Sequence, residues 1–276
     1  MFTKLVKYDF KSMFRTIAPL LLAFMVVGLL AGFTLPGVDA GNSALATLAG
    51  GVLIILLVGL TVAVYVITLI VVIRRFYKNL LGDEGYLTFT LPVGPFKILM
   101  SKALTAYVCS FISFIAGCVS YFLLFFVFLT RSEGLPSFAE FVDKVAYYLG
   151  MIDFNAWSVV VIFILTVLVQ AYTKIVKLYT AMMIGHQFND HRVFLSFVAY
   201  IVLSVVESVC SQLFLIITGT SQSLMGNIEV NTANGIFDIS GTPSNFLIIA
   251  LLFDILLAVI YTTVTYILMR DRLNLE

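Results

Sequence analysis

The sequence predicts an all-α, polytopic membrane protein: six transmembrane helices, an N-terminal amphipathic helix in the membrane interface, and a short cytoplasmic helix between spans two and three. Three observations predict it. Apolar residues make up 61% of the 276 and charged residues only 11%, with a mean hydropathy of +1.09. A soluble domain carries about 25% charged residues, so the solvent here is lipid. Six apolar runs, 17–35, 46–73, 103–130, 157–183, 193–217 and 245–269, reach the roughly 20 residues that cross the hydrocarbon core. Lastly, Lys and Arg fall almost entirely on alternate connections. Lipid offers no partner to a free backbone N–H or C=O, so these runs must be helical. No polar stretch is long enough to build a separate core, and 1–276 reads as one transmembrane domain.

The first sixteen residues form an element of their own. Phe2, Leu5, Val6, Phe10, Met13, Phe14 and Ile17 recur at helical spacing, with Lys4, Lys7, Lys11 and Arg15 mostly opposite. That pattern predicts a helix lying in the interface, its lysines on anionic headgroups. Pro19 suits a bend into the first span. No short apolar region ending in a small-residue cleavage site opens the chain, so no removable signal peptide is expected. In the first span Gly28 and Gly32 make a G-x-x-x-G, and Gly50-Gly51 sits in the second; both suit close helix packing.

Between spans two and three lies "RRFYKNLLGDEGYLTFTLPVGPFKILMSK", residues 74–102. The second helix should run on to about Leu81, and Gly82 can end it. Asp83 can cap a short new helix with Glu84 in its first turn. That helix would present Tyr86, Leu87 and Phe89 and close at Pro92, and Gly94-Pro95 would start the third helix. Exposed rings of this kind mark a docking surface.

Two further connections are long enough to fold. Residues 131–156 contain "SFAEFVDKVAYYLGMI", a short amphipathic helix on the outer leaflet. Residues 218–244 hold no Lys or Arg, and Asn234-Gly235 there is a hairpin-turn signal. Orientation follows from the cations. The arm (Lys4, Lys7, Lys11, Arg15), the 74–102 segment (Arg74, Arg75, Lys78, Lys97, Lys102), the fourth connection (Lys174, Lys177, Arg192) and the tail (Arg270, Arg272) carry fourteen of the sixteen Lys and Arg. Both termini and residues 74–102 are therefore expected in the cytosol.

Absences narrow the chemistry. There is no G-x-x-x-x-G-K-[ST], no H-E-x-x-H and no G-x-S-x-G, so neither a phosphate-cradling loop nor a familiar hydrolase site is present. His186 and His191, in "GHQFNDHR", read as polar residues of a tight turn, and Cys109, Cys118 and Cys210 as apolar packing residues. Acids inside the spans carry more information. Glu207 in the fifth and Asp254 in the sixth should lie about 10–15 Å below the outer face at 1.5 Å per residue. An ionised carboxylate alone there costs several kcal/mol. Each should face the bundle interior, bind a polar partner, or stay protonated. With Gln170 of the fourth span they could line a polar translocation route, or they could be structural acids satisfied by neighbouring hydroxyls. Lys174 and Lys177 are expected to snorkel to the inner headgroups.

The run "GDEGYLTFTLPVGPFKILMSKAL" resembles the permease subunits of ABC-2-type ABC transporters. In those, an acid, a Thr-x-Pro-Val or Leu-Pro-Val turn and an apolar stretch ending in Lys link spans two and three. The layout of an amphipathic N-terminal helix and six spans is similar too. The chain departs from the pattern at Gly94-Pro95, where many relatives have Ser followed by a basic residue. The resemblance implies a permease in the cell membrane that pairs with a second, identical or homologous permease and with two cytosolic ATP-binding subunits. It binds no cofactor itself; ATP and Mg belong to the partner. Residues 83–91 would be the coupling helix, with Asp83, Glu84, Tyr86, Leu87, Phe89 and Pro92 contacting the ATPase. It implies export of an amphipathic, lipid-like or peptide substrate, with no enzymatic activity of the chain's own. Two other readings use the same residues: a membrane sensor or immunity subunit that binds without pumping, and a membrane-embedded enzyme built on Glu207 and Asp254, for which no nucleophile–base pair stands out.

Overall fold

A computed structural model of the chain describes residues 2–34, 44–81, 93–131, 138–150, 154–188, 191–218 and 243–271. All the regular structure among them is helical. The helices are α1 (Phe2–Thr34), α2 (Ala44–Phe76, continued by a π-helical turn Tyr77–Leu81), α3 (Pro95–Arg131), α4 (Phe138–Gly150), α5 (Phe154–Gly185), α6 (Arg192–Ile217) and α7 (Pro243–Asp271). All but α4 are long and apolar enough to cross a bilayer, which makes this a multi-pass membrane protein.

Two compact units result: Met1–Arg75 with Leu104–Tyr147, and Phe76–Ala103 with Tyr148–Glu276. In the first, α1 buries Asp9, Met13, Ile17, Leu21, Phe24, Gly28, Ala31 and Gly32. These positions trace one helical stripe. The stripe explains a departure from expectation: residues 2–34 form a single helix, and Pro19 lies inside it instead of opening a bend between two elements. Proline removes one N–H and crowds one carbonyl, and burial along both halves of the stripe outweighs that local loss. A 33-residue helix is about 50 Å long at 1.5 Å per residue, longer than a hydrocarbon core of about 30 Å is thick.

Near its start α1 is tied down by charge. Asp9, with only 7% of its side chain exposed, pairs with Arg75 at 2.7 Å, and Arg75 Nη1 donates to the Ser12 hydroxyl at 2.8 Å. Farther along, the Ser120 hydroxyl donates to the Phe24 carbonyl at 2.9 Å, and Thr68 and Ser113 share a buried hydrogen bond of 3.1 Å. Helix α4 matches the amphipathic helix expected after the third span. Its Phe138 and Phe141 rings meet Phe126 and Phe125 edge-on, with centroids 4.7 and 5.3 Å apart.

In the second unit α3 begins at Pro95, as the sequence suggests, and the Gly94 carbonyl accepts the Lys97 and Ile98 N–H groups. Phe76 stacks on Tyr179 with centroids 4.0 Å apart. Helices α5 and α6 form an antiparallel pair across a short turn. A Cβ on Gly185 would collide with Ser196, so glycine lets the two helices close there. His186 is buried in that turn with its ring 6.3 Å from Tyr77, and His191 takes a left-handed conformation (φ 55°) just before α6. Among the described residues no group of His, Cys, Asp and Glu is placed to hold a metal ion.

Candidate functional site: a charged cavity among three membrane helices

Three stripes converge within the second unit. Helix α5 places Gln170 and Lys177 seven residues apart, and so on one face. Helix α6 brings Ser204, Glu207, Ser208 and Ser211, and α7 brings Phe246, Ala250, Phe253 and Asp254, again at helical spacing. With Phe214 and Leu215 they line a partly open cavity of about 380 Å³. Hydroxyl contacts hold α5 to α7 beside it. The Thr173 hydroxyl lies 2.9 Å from the Val169 carbonyl oxygen of its own helix and 3.3 Å from that of Asp254. One helical repeat on, the Thr180 and Thr265 hydroxyls are 2.8 Å apart. Such pairs satisfy polar groups that lipid would leave unmet and allow close backbone approach.

The charges fall into an ion pair and an acid with no direct partner among the described residues. Lys177 Nζ donates to Glu207 Oε2 at 2.8 Å, with the two side chains 8% and 22% exposed. The Tyr261 hydroxyl donates to the same oxygen at 3.3 Å, and the ammonium stands 5.1 Å from the Tyr200 ring centroid. Helix geometry explains how the pair closes. Side chains lean toward their own helix N-terminus, so in an antiparallel hairpin Lys177 and Glu207 lean toward each other. Asp254 differs. It is only 8% exposed and lines the cavity, yet no described residue hydrogen-bonds or ion-pairs its carboxylate.

The structure thus brings Gln170, Glu207 and Asp254 to one cavity. It corrects the expectation for Lys177, which turns inward to Glu207 and does not snorkel; a strong counter-charge within reach outcompetes distant headgroups. Lys174 stays exposed. The serines at 204, 208 and 211 were a signal within the sequence, since a hydroxyl stripe around an intramembrane acid marks a polar face. Residues Asp83, Glu84, Tyr86, Leu87, Phe89 and Pro92 lie outside the described residues. Compared with protein families, curated proteins and solved structures, the chain finds no match.

Proposed function

We propose that the chain is the transmembrane permease subunit of an ABC-2-type ABC transporter, moving an amphipathic, lipid-like or peptide substrate outward while separate ATP-binding subunits hydrolyse ATP. The observation that carries this reading is the cavity. An apolar bundle has no use for a hollow lined by Lys177, Glu207 and Asp254 unless something polar enters it. The lack of any phosphate-cradling motif fits a division of labour in which ATP and Mg sit on a partner. In this reading both termini and the 74–102 segment face the cytosol at the cell membrane. A second permease, identical or homologous, completes the route, and residues 83–91 dock on the ATPase.

Affinity purification of the intact complex from its own membrane tests the proposal. It should recover a protein carrying G-x-x-x-x-G-K-[ST], identified by mass spectrometry. Recovery without any such protein sinks it. Phe89→Asp should leave membrane insertion normal but lower transport at least tenfold relative to ATP hydrolysis, because a carboxylate replaces a docking ring. Unchanged coupling in that variant removes residues 83–91 from the contact.

A further inference from the structure

We propose that the cavity binds the head of a cationic amphiphile, an alkylammonium whose charge meets Asp254 and whose chain lies along the phenyl rings. This rests on reading the cavity as part of a substrate route, and it names the substrate class. Of the charges lining the cavity, one is a cation and two are carboxylates. The cation is already engaged: Lys177 is held by Glu207 at 2.8 Å and faces the Tyr200 ring. Lys174 is exposed and lies outside the lining, and its charge acts on Asp254 only from beyond ion-pair distance. Asp254 is therefore a buried acid, open to the cavity, with no ion-pair or hydrogen-bond partner for its carboxylate among the described residues. A buried carboxylate without a direct partner is strongly unfavourable, and a cation entering the cavity would supply that partner.

The apolar part of the lining favours an organic cation over a metal ion. Phe214 and Phe253 stack with centroids 5.1 Å apart, and Phe246, Leu215 and Ala250 extend the apolar surface. Sodium or calcium would require a shell of about six oxygens, and among the described residues no three His, Cys, Asp or Glu side chains converge to begin one. Phenyl faces attract an ammonium and accept its hydrocarbon chain. The volume of about 380 Å³ lies in the range of small-molecule sites. An anionic amphiphile would bring its charge against Glu207 and Asp254, and a neutral one would leave Asp254 uncompensated, so the site discriminates by charge.

The test uses the purified full chain in phosphatidylcholine nanodiscs with tritiated dodecylammonium, after subtraction of uptake by empty nanodiscs. Saturable binding is expected. Asp254→Asn should weaken it at least tenfold, and Asp254→Glu should keep it within about threefold. Dodecanoate and dodecanol should not compete. Phe253→Ala, which leaves every charge in place, should weaken binding about fivefold and so decides the matter if Asp254→Asn does not fold. Absent saturable binding, Asp254→Asn or Phe253→Ala within twofold of the parent, or equal competition by dodecanoate each overturns the proposal. No ATPase enters this assay, so its failure rejects the ligand class. Failure to recover an ATP-binding partner rejects the transporter reading and leaves a positive binding result standing.

Discussion

Replacing Lys177 with methionine should destabilise the protein by about 3 kcal/mol, the scale on which breaking a buried ion pair from one side acts. Methionine keeps most of the stem's volume and removes the charge. Among the described residues Glu207 would then keep only the Tyr261 hydroxyl at 3.3 Å, in a site where Lys177 is 8% and Glu207 22% exposed. Lys177→Met with Glu207→Gln should recover most of the loss, because the second change removes the stranded charge. Reversible unfolding in mixed micelles, run as a double-mutant cycle, measures the coupling. A single mutant within about 0.5 kcal/mol of the parent would mean that water or lipid headgroups satisfy Glu207 in Lys177's place.

That pair also shows where sequence reasoning stops. The six spanning helices were legible because a run of roughly 20 apolar residues has few alternatives in lipid. Pro95 at the start of α3 and the amphipathic α4 were legible because their signals are local. The partner of Glu207 was not. Lys177 is thirty residues away, and near the end of an apolar run a lysine looks like a headgroup anchor until the facing helix is known. Asp9 and Arg75, sixty-six residues apart, pose the same difficulty. The unbroken course of α1 through Pro19 was hidden for a related reason: local chemistry argued for a bend, and the stripe from Asp9 to Gly32 that overrides it is a tertiary fact. The three polar residues singled out inside the spans did reach one cavity, because the cost of polar groups in lipid drives them to a common interior.

Glycine tests the same distinction between local and tertiary control, with effects of opposite sign at positions of identical chemistry. Gly28→Val should cost about 2–3 kcal/mol, in the range of core overpacking. A Cβ at Gly28 would collide with the Ser120 hydroxyl and lie 2.6 Å from the Ser120 carbonyl oxygen, which is backbone and cannot turn aside. Separating the helices would also lengthen the 2.9 Å bond from Ser120 to the Phe24 carbonyl. Gly32 is nearly as tight, its added Cβ lying 2.8 Å from the Leu124 carbonyl oxygen. The sequence suggested close packing for Gly50-Gly51 as well; Gly50 is buried, but a Cβ on Gly51 would meet nothing within 4 Å, and the same holds for Gly59. There alanine should stabilise by up to about 1 kcal/mol, since glycine only adds backbone freedom to the unfolded chain. Thermal unfolding of Gly28→Val, Gly51→Ala and Gly59→Ala in one detergent separates the two regimes. If Gly28→Val melts with the parent, the α1–α3 approach is looser than described. If Gly51→Ala falls as far as Gly28→Val, that face of α2 is covered by another chain in the membrane.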